Sequence, residues 1–250
     1  MFVGALLAVK HKHERLYRLS PWLYNNISAL KAALRNWAFV VANIRMMRFS
    51  VNIGRYGQVA KEYSAEFDRI TNIIASDSRR LGYPRSFNMN RKEGLLLYYL
   101  VRTLRPRMVL ETGVANGFST RLVLAALKRN GIGRLVSVDV DKDVGGLVED
   151  PGSGRWRLII DRPGKGLERA LKGISRVDLF IHDSDHSYKN MLWEFGMVRP
   201  KLSGSGIVYS DDVNGNRAFL EFVRKNRLSG VIIPTFRKSF GIASKRPIKI

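Results

Sequence analysis

Apolar residues recur along this chain in two rhythms. Up to about Asn90 the rhythm is helical. Ile27, Leu30, Leu34, Trp37, Val41 and Ile44 stand three and four apart, which places them on one helix face. Lys31 and Arg35 flank that stripe, and Arg45 and Arg48 fall close to it, so the face is not clean. A helix packed on the main domain is the favoured expectation, ahead of a helix lying on a membrane surface. From Leu95 onward short β-prone runs alternate with helices. Leu95–Leu104 reads as a helix that stops before Pro106, and Met108–Leu110 as a strand. Ser119–Arg129 is a helix with Gly131 as its stop, followed by strands at Leu135–Val138, Trp156–Ile160 and Val177–Ile181. A helix over Tyr188–Leu202, a strand at Gly206–Tyr209 and a helix over Ala218–Arg227 come next. Strands at Val231–Ile233 and Phe240–Ala243, joined by a basic turn, predict an antiparallel edge hairpin. The alternation predicts an α/β fold: a mostly parallel seven-stranded sheet with helices on both faces. Residues 1–90 are expected to form a basic helical N-terminal extension or cap, and residues 91–250 the α/β domain.

Composition narrows the chemistry. Of 250 residues, 45% are hydrophobic, enough for a real core, and there is no cysteine. That excludes disulfides, thiolate metal sites and any thiol nucleophile. The formal net charge of +22 favours nucleic acid or an anionic membrane surface as partners, against the plainer alternative of a solvated basic exterior. Met1–Val9 is apolar but too short for a span, and its charges follow the apolar run, which fits a signal peptide poorly. A cytoplasmic protein is expected, with peripheral attachment to a membrane surface as a variant.

The acidic residues are few, and their positions are informative. Glu111, Asp139, Asp183, Asp185, Asp211 and Asp212 fall at or just after predicted strand ends. In such sheets ligands bind beyond the carboxyl ends of the strands. Gly113 and Gly117 follow the first strand and lead into a helix, where glycine permits a sharp turn and close approach of a ligand. Asp139 ends the second strand, where a carboxylate can accept bonds from both ribose hydroxyls of an adenosine cofactor. The loop lacks the Gly-x-Gly-x-x-Gly string of nicotinamide sites. Asp183, Asp211 and Asp212 would reach one rim, and three converging carboxylates repel unless protons or a cation neutralise them. Oxygen ligands at that density suit Mg²⁺ or another divalent cation; the alternative is a metal-free site in which the aspartates orient loops. His186, three residues beyond Asp183, reads equally as a proton acceptor and as a structural cap of the helix beginning near Tyr188. His182 should face the opposite side of its strand from Ile181 and Asp183.

Three stretches carry a family resemblance: Leu110-Glu111-Thr112-Gly113-Val114-Ala115-Asn116-Gly117-Phe118-Ser119-Thr120, then Asp178 through Tyr188, then Tyr209-Ser210-Asp211-Asp212-Val213. Together they resemble class I S-adenosylmethionine-dependent methyltransferases of the small O-methyltransferase type, a group with metal-dependent members. The resemblance implies a Rossmann-like fold and S-adenosylmethionine as cofactor, bound over Glu111, Thr112, Gly113, Ala115, Asn116, Gly117 and Ser119, with Asp183 nearby. It implies that Glu111, Gly113 and Gly117 surround the methionine moiety, that Asp139 holds the ribose, and that Asp161 lies near the adenine. Asp161-Arg162-Pro163 departs from the usual Gly-Asp-Ser there. Metal-dependent relatives place ligands at Asp183, Asp211 and Asp212, and a lysine proton acceptor where His186 stands, which makes His186 and Asp183 the catalytic candidates.

The function expected from these residues is methyl transfer to a hydroxyl of a small molecule or glycan. An RNA ribose methyltransferase is the runner-up, motivated by charge. A base-amine target is disfavoured because Asp183-Ser184-Asp185-His186 stands where such enzymes carry Asn-Pro-Pro-Tyr. A non-catalytic cofactor-binding or membrane-peripheral module comes third, since such a module has no use for a carboxylate rim. The apolar N-terminal helices could also serve as a homodimer contact.

Overall fold

The computed structural model describes residues 53–76, 82–84, 87–149, 154–235 and 238–246, with residues 30, 31, 34, 35 and 38. Of the N-terminal stripe only Leu30 and Leu34 are therefore described; both are helical, and they are 58% and 59% exposed, so at these positions the stripe does not pack on the domain. Ile27, Trp37, Val41 and Ile44 lie outside the described residues.

Helix α1 (Ile53–Ser76) leads to α2 (Arg91–Leu104), which a capping box starts: the Asn90 side chain accepts from the Lys92 and Glu93 amides, and the Glu93 carboxylate accepts from the Asn90 amide. Strand β1 (Met108–Thr112), helix α3 (Phe118–Asn130), strands β2 (Arg134–Asp139) and β3 (Trp156–Ile160), and helix α4 (Lys165–Lys172) follow. Then come β4 (Val177–His182), α5 (Tyr188–Val198), β5 (Leu202–Ser210), α6 (Ala218–Lys225), β6 (Ser229–Pro234) and β7 (Ser239–Ser244). The sheet order is β3-β2-β1-β4-β5-β7-β6, with β7 alone antiparallel to its neighbours.

Three elements differ from the sequence expectation. Helix α4 was not expected; it is short, and its apolar signal is confined to Leu167, Ala170 and Leu171. The helix from Tyr188 stops at Val198, because Pro200 supplies no amide hydrogen and the chain passes through a 3₁₀ turn at Arg199–Lys201 before β5 takes Leu202. The terminal hairpin forms, but β7 inserts between β5 and β6, so only β6 lies at the edge.

Side-chain alternation sends successive strand residues to opposite faces. Val109, Leu179, Ile181 and Tyr209 pack with Phe67 and Ile74 of α1, Leu96 and Leu97 of α2, and Leu122 and Leu127 of α3. Leu110, Phe180 and Val208 pack on the other face with Leu167, Phe195, Phe219 and Phe222 of α4, α5 and α6. Two cavities are relevant to function. The larger, about 550 Å³, opens at the amino end of the sheet among Arg105, Arg107, Arg134 and Arg176. The smaller, about 290 Å³, sits at the carboxyl ends of β1, β4 and β5, where this architecture places its ligands. Among the described residues no helix is long and apolar enough to cross a membrane.

Candidate active site

The chain leaves β1 through Gly113, whose amide donates to Val138 O at 2.9 Å and so stitches the loop to β2. Gly113 has φ +84°, and a Cβ there would lie 2.0 Å from the Asp183 carbonyl oxygen. Gly117, at φ +85°, opens α3 without a side-chain cap, and the first-turn residues Phe118 and Ser119 border the cavity. Uncapped amides at a helix start favour an anionic group such as a carboxylate. Gly113, Val114, Ala115, Phe118 and Ser119 line this side of the cavity.

Glu111 lies beneath the loop. It is fully buried, and its two oxygens accept from the hydroxyls of Ser119, Thr120 and Ser137, each at 2.7 Å. Burial raises its pKa and the three hydroxyl bonds oppose that rise. It therefore braces the start of α3 and does not line the cavity, contrary to what the resemblance implied. Glu111→Ala would strand three buried hydroxyls and is expected to cost about 2–4 kcal/mol, read by urea denaturation. Thr112 and Asn116 are likewise turned inward. Thr112 donates to Glu194 Oε2 at 2.6 Å, and the Asn116 amide clasps the Tyr83 backbone at both N and O while also donating to Asn88 Oδ1. Asn116 thereby ties the Tyr83 and Asn88 segment to the glycine loop, and Phe87, Asn88 and Met89 form the opposite cavity wall.

Asp139 stands at the end of β2 as expected. Its carboxylate accepts from the amides of Val114, Val140 and Asp141, which fixes it beside the loop with lone pairs left over. Asp161 is its neighbour at the end of β3: its amide donates to Asp139 O, and its carboxylate pairs with Arg169 at 3.0 Å. Asp161 is not part of the cavity lining.

On the far side of the cavity, ligand atoms of Asp183, His186 and Asp211 converge within 4.8 Å of one another. Asp212 does not join that group. It takes φ +47°, its side chain is 42% exposed, and its Oδ2 lies 3.8 Å from His186 Nδ1. The expected carboxylate triad is thus corrected: His186 stands in the cluster where Asp212 was placed, and Asp212, on the left-handed turn after β5, stays at the cavity rim beside it. The cap of α5 is Ser187, not His186, since the Ser187 hydroxyl accepts from the Asn190 amide. Two buried atoms of the cluster, Asp211 Oδ1 and His186 Nε2, have no hydrogen-bond partner among the described residues. Burial, then the charge of Asp211, pushes the Asp183 carboxyl well above the usual carboxylate range and Asp212 up to about 6. Burial, then nearby His182, pushes the His186 imidazole down to about 4. That shift favours the neutral imidazole, which is the form that ligates metals.

Sequence reasoning missed three residues here. Glu194 lies on the buried face of α5 and gathers Thr112 Oγ1, His182 Nδ1 and Ser184 Oγ on its carboxylate, at 2.6, 2.7 and 2.8 Å. Burial raises its pKa, but the bonds from His182, Thr112 and Ser184 outweigh this and hold it low. His182, on the face opposite Ile181 as expected, meets His186 edge-on at 5.4 Å between ring centroids. The signal for Glu194 was an acidic residue between buried Met191 and Phe195. Lys238 arrives from the β6–β7 turn with Nζ at 2.5 Å from Asp211 Oδ2 and 3.5 Å from Glu93 Oε2, and neither it nor Glu93 was marked by any motif.

Residues 110–213 match the family model of a methyltransferase domain. No curated protein matches the chain by sequence. Solved structures share its fold. One is an O-methyltransferase from Bacillus cereus in complex with SAH: 16% identity, TM-score 0.58, 70% of this chain and 89% of that one. Another is the SAH-bound Podospora anserina methyltransferase PaMTH1: 16% identity, TM-score 0.56, 76% and 96% covered. A third is the O-methyltransferase TomG from Streptomyces achromogenes, involved in tomaymycin synthesis, with SAM: 16% identity, TM-score 0.53, 83% and 95% covered. Residues 110–213 are thus similar to a methyltransferase domain, and the chain has the fold of these methyltransferase structures.

Proposed function

We propose that this enzyme transfers the methyl group of S-adenosylmethionine to a hydroxyl oxygen of a small molecule or glycan, with a divalent cation at the acceptor side. The observation that carries the reading is the pair of buried ligand atoms without a partner among the described residues, Asp211 Oδ1 and His186 Nε2, beside Asp183 across the cavity from the glycine loop. Two carboxylates and an imidazole form a donor set that suits Mg²⁺ or Mn²⁺. Such an ion supplies a Lewis acid that lowers the pKa of an acceptor hydroxyl. S-adenosylmethionine supplies a methyl group on a sulfonium. The relatives from Bacillus cereus and Streptomyces achromogenes, crystallised with SAH and SAM, support the same cofactor and acceptor class.

The chain's own residues set the geometry. Amides at the start of α3 meet the cofactor carboxylate, Asp139 accepts from ribose hydroxyls, and Asp183, His186 and Asp211 hold the acceptor side. Orientation of the oxygen toward the methyl carbon is where such a site gains most of its rate. The cavity's modest volume, about 290 Å³, favours a compact acceptor, and the arginine-lined cavity lies at the opposite end of the sheet from this rim.

Purified protein should bind SAH at micromolar levels, about −8 kcal/mol, and NAD should not compete. Asp139→Ala should weaken that binding by about 1.5–3 kcal/mol in calorimetry. EDTA should abolish transfer of labelled methyl groups to acceptors in a cell extract while leaving SAH affinity nearly unchanged, and Mn²⁺ or Mg²⁺ should restore it. Full transfer in excess EDTA would remove the cation from the reading; absence of SAH binding would remove the reading itself.

A further inference from the structure

Four carboxylates surround the acceptor side of the cavity: Glu93 from the first turn of α2, Asp183 after β4, and Asp211 and Asp212 after β5. One ammonium reaches into them. Lys238 comes from a different part of the chain, the β6–β7 turn, and its side chain is 23% exposed. Its Nζ lies 2.5 Å from Asp211 Oδ2 and 3.5 Å from Glu93 Oε2, and it lines the same cavity as Asp183 and His186. Asp211 is thereby divided. One oxygen is held by Lys238, while Oδ1 is buried without a hydrogen-bond partner among the described residues and belongs to a residue of the ligand cluster.

We propose that Lys238 is a tethered cation of this site, which positions Asp211 through one oxygen and contends with a divalent ion for the same negative charge. This rests on the acceptor-side reading above. Asp211 is the shared member, so the ammonium and the ion must both approach one carboxylate. Like charges forced this close in a partly buried site repel by several-fold more than they would in water. The ammonium also serves when no ion is bound, since clustered carboxylates without a cation would repel one another. Lys238 thus keeps the cluster assembled between ions and makes ion affinity weaker than the four carboxylates alone would give. Its long stem allows this from a turn that the acceptor itself need not touch.

The test is calorimetry of Mn²⁺ alone on the full chain, wild type against Lys238→Met, Lys238→Gln and Lys238→Arg, with a cooperative thermal unfolding transition as the check that each is folded. Lys238→Met and Lys238→Gln should bind Mn²⁺ at least about tenfold more tightly than wild type, because like-charge juxtaposition is relieved. Lys238→Arg, which keeps the charge, should stay within about threefold of wild type. Mn²⁺ should also raise the melting temperature of Lys238→Met more than that of wild type. Lys238→Gln keeps a hydrogen-bond donor to Asp211 and covers the case in which methionine does not fold. Unchanged or weaker Mn²⁺ affinity in the neutral variants overturns the proposal, as does absence of Mn²⁺ binding in all four proteins. Failure of SAH binding in the wild type would instead strike the methyl-transfer reading and leave the Mn²⁺ comparison interpretable.

Discussion

Gly113→Ala should destabilise the protein by about 4–5 kcal/mol and raise the SAH dissociation constant by at least about a hundredfold, placing it in the extreme tail of single substitutions. The reason is positional. An added Cβ would fall 2.0 Å from the Asp183 carbonyl oxygen and 2.9 Å from the Ser184 nitrogen, and both are backbone atoms that cannot rotate away. Relief would require breaking the bond from the Asp183 amide to Thr112 O, which continues the β1–β4 pairing at the centre of the sheet. Gly131 supplies the control. It also has positive φ, at +72°, but a Cβ there meets nothing within 4 Å. Gly131→Ala should cost only the conformational term, about 1–2 kcal/mol. Urea unfolding of the two variants, with SAH titration of each, checks both numbers. Similar small losses in the two would mean that the loop is not held against β4 as described.

His186→Ala should lower turnover by about 10²–10⁴-fold while SAH affinity stays within about threefold of wild type. The imidazole stands in the ligand cluster with Asp183 and Asp211, on the acceptor side of the cavity, across from the glycine loop. Its loss therefore falls on the reacting oxygen and spares the cofactor. Asp212→Ala should be milder in the same assay, since that side chain stands at the cavity rim outside the ligand cluster. A larger loss in Asp212→Ala than in His186→Ala would restore the carboxylate triad suggested by the sequence.

Most of the frame was legible because it depends on local signals. Short apolar runs between helices mark the strands, and the parallel strands β2 to β5 each end on or just before an acidic residue, which the parallel arrangement brings to one end of the sheet. The glycines after β1 and the carboxylate after β2 therefore fell where expected. What escaped depends on contacts between distant segments. Glu111 looked like a cavity residue, yet Ser119, Thr120 and Ser137 close over it from α3 and β2. Asp212 is one residue beyond Asp211, and only the backbone turn separates their roles. Lys238 sits among many basic residues, and nothing in a one-dimensional pattern distinguishes the lysine that enters the site from those that face water. Helix α4 was missed for the opposite reason: eight residues flanked by glycines give too short a stretch for periodicity to register.

The insertion of β7 between β5 and β6 bears on how the sheet is completed. Strands β1 through β5 can pair as they emerge during synthesis, but β5 keeps an open edge until residues 239–244 arrive. An unpaired strand edge beside apolar residues such as Ile207 and Tyr209 is a template for wrong partners. Lys238 immediately precedes β7, so the counter-charge for Asp211 enters the rim in the same event that closes the edge. In the folded sheet, closure of the β5 edge and placement of the counter-charge for Asp211 thus depend on the same segment.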